Sequence, residues 1–108
     1  MKVIIIDNNV DRHAWHNDIW NSIDLDVSLS VVNGNTTGNI LESGYNMVLI
    51  HGNNPELHDI EELEDCEFLR IFFSGGYTSI KTYPDEKLFY IPLKNLKDFL
   101  ENTLIKIG

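Results

Sequence analysis

Three apolar runs of the chain each end in polar side chains that could do chemistry. These side chains are Asp7 and Asn8 after the first run, His51 after the second and Ser74 after the third. A carboxylate can hold a divalent metal ion, and a neutral imidazole can act as a nucleophile or a metal ligand. These positions are therefore the first candidates for a functional site.

The elements that must position these residues alternate between strand and helix. Continuous apolar runs and period-two alternation predict strands at 2–6, 25–31, 47–50, 68–73 and 88–91. Helical spacing and capping residues predict helices at 10–23, from Thr36 or Thr37 through Leu41, at 55–66 and at 96–104. A further helix between Gly76 and Lys87 is doubtful, because Pro84 should break it.

Alternation at this spacing predicts an α/β fold with a parallel sheet covered on both faces. Five strands in a single domain, residues 1–108, point to a flavodoxin-like three-layer sandwich with strand order 2-1-3-4-5. Ligands of such sheets bind outside the carboxyl ends of the strands, near the switch point between strands 1 and 3. Asp7, Asn8, His51 and Ser74 are predicted to meet there.

Composition excludes several classes of protein. The 17 acidic and eight basic side chains among 108 residues give a net charge of −9, which disfavours nucleic acid as a partner. The one cysteine, Cys66, cannot close an internal disulfide, and no apolar run is long enough to span a membrane. We therefore expect a cytoplasmic protein.

With these elements in order, the chain resembles the receiver domain of two-component response regulators over nearly its whole length. In that family an acidic pair that holds Mg²⁺ ends the first strand, where this chain has Asp7 and Asn8. A serine or threonine ends the fourth strand, where this chain has Ser74. The resemblance implies a receiver-like scaffold.

The chain departs from the receiver pattern at two positions. His51, four residues before Pro55, stands where the family has its phosphoacceptor aspartate. Ile91 and Pro92 stand where the family has a lysine followed by a proline, and Lys94 is the nearest substitute. The resemblance therefore implies a pseudo-receiver that is not an enzyme and uses no cofactor or metal. We expect a phosphorylation-independent interaction module with a protein partner, and a homodimer is plausible.

The predicted contact surface is the remodelled region from Gly75 to Lys94, with the candidate residues Tyr77, Tyr83, Tyr90 and Lys94. The first helix and the third helix are the second choices. Two alternative functions stay open. One is a ligand-dependent or metal-dependent switch that uses Asp7, Asn8, His51 and Ser74. The other is an acidic inhibitor or immunity-type protein, since residues 56–67 carry seven acids.

The histidines have ordinary structural interpretations as well. His51 is expected to form a hydrogen bond with Asp7 or Ser74 at the strand end. His13 and His16 lie three residues apart and could chelate a metal, but adjacent solvent-facing positions on the first helix are the expected arrangement. His58 is expected to be a surface residue of the same kind.

Overall fold

A computed structural model describes residues 1–23 and 25–104 of the chain, the last two of them by their backbone alone. The strands are β1 Lys2–Ile6, β2 Ser28–Val32, β3 Met47–His51, β4 Leu69–Ser74, β5 Lys81–Tyr83 and β6 Leu88–Pro92. The helices are α1 His13–Asn21, α2 Thr37–Glu42, α3 His58–Glu61 and α4 Leu96–Phe99. Residues 24 and 105–108, which the single-domain prediction includes, lie outside the described part.

The six described strands form one sheet in the order β2-β1-β3-β4-β6-β5. Four strand pairs are parallel, and β5 pairs with β6 in the antiparallel sense. The predicted α/β class with a mostly parallel sheet is confirmed. The prediction of five strands, all parallel, is wrong because residues 75–87 form a loop and a returning edge strand.

A tight turn explains the additional strand. Pro84 stops β5, because its fixed φ and missing N–H disfavour further pairing. The N–H of Lys87 donates to the carbonyl of Pro84 at 3.0 Å, and Lys87 adopts a left-handed conformation with φ of 54°. This turn directs β6 back along β5. Between Gly76 and Lys87, in place of the doubtful helix, the structure has β5 and the single 3-10 turn Pro84–Glu86.

The outer edge of β5 carries features that limit pairing with other chains. It is three residues long and all three are exposed residues, with a lysine at its start and a proline directly after it. Short length, charge and proline are the usual means by which edge strands avoid aggregation. β5 therefore covers the edge of β6 without offering a long new edge.

Two apolar cores lie on opposite faces of the sheet. On one face α1, α4 and the residue after α4 pack through residues that include Ile19, Trp20, Leu96, Phe99 and Leu100. On the other face α2, α3 and the residue before α3 pack through Ile40, Leu57 and Ile60. Because β1 and β3 are covered on both faces, their apolar runs are continuous rather than alternating.

The first and last helices differ in detail from the predictions. A 3-10 turn, Val10–Arg12, precedes α1, and Asn9 caps it by accepting the N–H of Asp11 at 3.1 Å. After α4 the chain continues as a π turn over Leu100–Leu104. Thr36 caps α2 as predicted, accepting the N–H of Asn39 at 3.2 Å.

The predicted third helix is much shorter than expected. Helical structure begins with a 3-10 turn at Pro55–Leu57 and ends at Glu61 instead of Cys66. Arg70 Nη1 donates to the carbonyls of Ile60, Glu61 and Leu63 at 2.9 to 3.1 Å. These carbonyls therefore bind a guanidinium where a longer helix would supply its own N–H groups.

Within the described residues, no helix has the length and apolar character needed to cross a membrane.

Candidate functional site

The buried carboxylate of Asp7 is the centre of a hydrogen-bonded cluster at the carboxyl edge of the sheet. Arg12 donates from Nε to Oδ2 at 2.8 Å and from Nη2 to Oδ1 at 2.9 Å. The N–H of Asn9 donates to Oδ1 at 2.9 Å, and His16 Nε2 donates to Oδ2 at 2.9 Å. Each carboxylate oxygen therefore has two donors, which occupy the lone pairs that a metal ion would use.

The charge state of this cluster follows from its contacts. Burial alone would raise the pKa of Asp7, but the hydrogen bonds from Arg12, His16 and Asn9 and the charge of Arg12 lower it from 3.8 to about 2. The hydrogen bond to Asp7 raises the pKa of Arg12 against the effect of burial. At neutral pH the two side chains form an ion pair, so the negative charge of Asp7 and the positive charge of Arg12 offset each other.

Two histidines that were predicted to face solvent contact Asp7 instead. His16 is fully buried, and His13 Nε2 donates to the backbone carbonyl of Asp7 at 2.8 Å. Burial lowers the pKa of His16, although the hydrogen bond to Asp7 and its charge oppose this change. The prediction is wrong because the helix face that both residues share lies against the end of β1. His58 is exposed, as predicted.

His51 is held at the end of β3 by Asn8. The distance between His51 Nδ1 and Asn8 Oδ1 is 3.1 Å. Because an amide oxygen only accepts, Nδ1 carries the proton and Nε2 does not. Burial and the charge of Arg12 lower the pKa of His51, against the effect of Asp7. The predicted partners Asp7 and Ser74 are wrong, since the oxygens of Asp7 are already occupied.

The remaining predicted pocket residues divide into two groups. Ser74 ends β4, and its Oγ accepts the N–H of Gly76 at 3.1 Å. Ile91 is fully buried in the core beside α1 and α4, and Pro92 is buried opposite Ser74 in the parallel register. Lys94 is exposed in a 3-10 turn after β6. Ile91 and Pro92, which stand where the receiver pattern has a lysine followed by a proline, therefore supply no charge to the site.

A cavity of about 590 Å³ opens at this edge of the sheet. Its walls include Asn8, Arg12, His51, Asn53, Ser74 and Gly75. The structure therefore brings Asn8, His51 and Ser74 together as predicted, with Asp7 buried beside them. Within the described residues, no group of three or more His, Cys, Asp or Glu side chains converges as a metal site would.

Sequence reasoning missed Arg12, the side chain that pairs with Asp7 and lies in the wall of the cavity. The chain contains two arginines, Arg12 and Arg70, among its eight basic residues. A signal was present, because Arg12 lies five residues after Asp7 in the first turn that follows the strand. An arginine so close to a buried carboxylate is a natural partner for it.

Three of the four predicted surface residues form an aromatic cluster on the other side of β6. Tyr90 stacks on Phe72 at 5.7 Å between ring centroids, and Tyr77 and Tyr83 meet it edge-on at 6.0 and 6.2 Å. Tyr90 Oη donates to Glu61 Oε2. Burial, this hydrogen bond and the charge of Glu61 raise the pKa of Tyr90, so its phenol stays neutral. Tyr83 is 45% exposed.

Gly52 connects the loop after β3 to this cluster. A Cβ at Gly52 would lie 2.8 Å from Tyr77 Oη and 3.4 Å from Tyr77 Cζ. The phenol of Tyr77 therefore lies against the backbone one residue beyond His51. Any larger residue at position 52 would require the phenol of Tyr77 to shift.

Of the seven acids in residues 56–67, four line a second cavity, namely Glu61, Glu62, Glu64 and Asp65. This cavity has a volume of about 420 Å³, and the buried Arg70 lines it. The acids of its walls come from two segments, Glu61–Asp65 and Asp85–Glu86. The structure therefore brings two acids from a distant part of the sequence, Asp85 and Glu86, to the same cavity.

Comparisons with protein-family models, with curated proteins and with solved structures found no match to this chain. Function is therefore inferred from the geometry described above.

Acidification is expected to reduce stability in two stages. The native state holds the pKa of His16 and His51 low, so the unfolded chain takes up protons first as the pH falls below about 6.5. The pKa of Asp7 is also lower in the native state, so its contribution is complete above 3.8 and is lost as the pH falls through about 2. The drop from 3.8 to about 2 corresponds to roughly 2 to 3 kcal/mol.

The carboxyl ¹³C shift of Asp7 measures this directly. We expect a midpoint near pH 2 in the folded chain and near 3.8 for the same carboxyl in concentrated urea. Equal midpoints in the two states would contradict the ion pair.

Proposed function

We propose that this chain is a receiver-like, phosphorylation-independent module that regulates or binds another protein in cytoplasmic signalling and carries out no catalysis. The observation that carries the proposal is the state of Asp7. Its four hydrogen bonds from Arg12, His16 and Asn9 occupy the carboxylate that a receiver would use for Mg²⁺.

The rest of the phosphotransfer machinery is also replaced. Aspartyl phosphorylation needs a carboxylate nucleophile, a divalent metal ion and a cation opposite the phosphoryl group. His51 stands at the nucleophile position, and the buried Ile91 stands at the lysine position. The site therefore lacks the acceptor and the strand-end cation.

The fold supports the receiver-like part of the proposal. Strands β2, β1, β3, β4 and β6 follow one another in the flavodoxin-like order with four parallel pairs, and helices cover both faces. β5 is an addition at the edge beside β6. It replaces the helix that a receiver would place between its fourth and fifth strands.

The contact surface that we propose is the region from Gly75 to Lys94, centred on Tyr77, Tyr83 and Tyr90. Without a helix between β4 and β6, these three rings are left partly exposed. Clustered aromatic side chains are typical anchors of protein interfaces.

Titration followed by amide NMR tests the proposal. Mg²⁺ and then beryllofluoride are added while the signals of Asp7, His51 and Ser74 are followed. We expect no saturable shift that requires Mg²⁺, because Arg12 already occupies the carboxylate of Asp7. Saturable shifts at all three positions that need Mg²⁺ would overturn the proposal in favour of a phosphoryl or metal switch.

The acidic inhibitor is the second candidate function. The observation in its favour is the convergence of Glu61–Asp65 and Asp85–Glu86 around one cavity. A basic protein bound there should dissociate steeply as salt increases, because exposed charges are screened. Binding through the tyrosine cluster should depend little on salt.

A further inference from the structure

The cavity at the carboxyl edge of the sheet has a volume suited to a small ligand. Its volume of about 590 Å³ lies within the ordinary range for ligand pockets. It opens beside the ends of β1 and β3, where ligands of open α/β sheets bind. Binding of a small ligand there would be a function in addition to the proposed interaction with a protein.

The acceptor atoms at this cavity are largely consumed by the protein itself. Both carboxylate oxygens of Asp7 are occupied, and Asn8 Oδ1 accepts from His51. Asn9 Oδ1 accepts the N–H of Asp11, and Ser74 Oγ accepts the N–H of Gly76. A metal cation would find few free oxygens here.

Donors remain. Arg12 binds Asp7 through Nε and Nη2, so the two N–H groups of Nη1 have no partner among the described residues. The side chain of Arg12 is 23% exposed, and it lines the cavity. The amide of Asn53 and the hydroxyl hydrogen of Ser74 also make no hydrogen bond to a described residue and line the same cavity.

The ion pair holds the guanidinium in place. Two hydrogen bonds to one carboxylate fix the plane of the guanidinium of Arg12, so little conformational freedom is lost when another acceptor binds its outer edge. His51 Nε2 carries no proton and accepts no hydrogen bond from a described residue, so it is a free acceptor at the cavity, as is Oδ1 of Asn53. It suits a ligand that has one protonated oxygen among several unprotonated ones.

We propose that this cavity binds a small oxyanion without a metal ion, through Arg12, Asn53 and Ser74. Phosphate, a phosphate monoester and a carboxylate share this chemistry. The binding is non-covalent. Inorganic phosphate, which keeps a proton near neutral pH, also donates from its protonated oxygen to Nε2 of His51, whereas a carboxylate or sulfate has no such proton.

The test is an amide NMR titration with inorganic phosphate, sulfate and acetate in separate experiments without Mg²⁺, at constant ionic strength held with chloride. We expect saturable shifts at Arg12, Asn53, Ser74 and Gly75. Stronger binding of phosphate and sulfate would identify a tetrahedral anion, and stronger binding of acetate would identify a carboxylate. An unsaturated response equal to that of chloride would overturn the proposal.

Asn53 is exposed and its side chain makes no hydrogen bond to a described residue, so a charge can be placed at the cavity by replacing this proposed donor without removing a contact within the folded protein. Asn53→Asp should weaken phosphate binding about tenfold, and Asn53→Lys should strengthen it by a similar factor. Asn21→Asp and Asn21→Lys are the matched controls, because α1 ends at Asn21 at the opposite edge of the sheet. They should change binding less than about twofold.

Opposite changes at Asn53 cannot result from loss of folding. Equal effects at Asn53 and Asn21 would show that only the overall charge of the protein matters and would overturn the proposal. Because Mg²⁺ is absent from this titration, its failure is distinct from failure of the interaction-module proposal, which depends on the response to Mg²⁺.

Discussion

Replacing Arg12 by alanine is expected to lower the free energy of unfolding by about 3 to 5 kcal/mol. Asp7 is fully buried, and Arg12 supplies two of the four hydrogen bonds to its carboxylate. Without Arg12 the carboxylate keeps only Asn9 and His16 as donors and has no permanent counter-charge. Urea denaturation at pH 7 measures the loss.

A double-mutant cycle separates the ion pair from other effects of the substitution. Asp7→Asn removes the charge, so Arg12→Ala should cost much less in that background than in the wild-type chain. Lys94→Ala removes an exposed cation after β6 and should change stability by less than about 0.5 kcal/mol. Equal costs of Arg12→Ala in both backgrounds would contradict the coupling to Asp7.

Replacing Arg70 by methionine is expected to lower the free energy of unfolding by roughly 4 kcal/mol. Arg70 is 2% exposed, and its guanidinium donates to the carbonyls of Ile60, Glu61, Leu63 and Glu86. Methionine keeps an apolar stem but leaves these carbonyls without donors. Thermal and urea unfolding of the two chains give the difference.

Lys87→Met is the matched control for Arg70→Met. Lys87 is an exposed cation whose Nζ donates to the carbonyl of Glu67 at 3.2 Å. Its loss should cost less than about 1 kcal/mol. If Arg70→Met lowers the free energy of unfolding by as little as Lys87→Met, water must reach the carbonyls around Arg70. The guanidinium is then not what ends α3.

The parts of the fold that could be predicted are those with an unambiguous local pattern. β1 and β3 are continuous apolar runs, and the structure places each within one residue of its predicted bounds. β5 has no such pattern, because none of the residues of Lys81–Tyr83 is buried. It forms a strand only because the tight turn after it places β6 alongside. This pairing depends on tertiary structure and not on a local sequence pattern.

The third helix shows how a distant residue can override a local pattern. Apolar residues at every third position from Leu57 to Cys66 fit a helix, yet the helix ends at Glu61. Its last carbonyls bind Arg70, which lies in β4. An arginine within an apolar strand predicts a buried cation, but the sequence does not say which carbonyls it binds.

The candidate site was predictable in position and not in its contacts. The rule that ligands bind at the carboxyl ends of parallel strands placed Asn8, His51 and Ser74 correctly around one cavity. The partners of Asp7 depend on how α1 packs against β1. His13 and His16, which were expected to face solvent, therefore donate hydrogen bonds to Asp7.

The contact between Gly52 and Tyr77 gives the protein a mechanical connection between its two candidate surfaces. The loop after β3 borders the oxyanion cavity through His51 and Asn53, and the phenol of Tyr77 lies against the same loop at Gly52. If a ligand at the cavity displaces that loop toward Tyr77, the phenol has to shift with it. Thermodynamic linkage then requires that binding at the tyrosines changes affinity at the cavity by the same factor as the ligand changes affinity at the tyrosines.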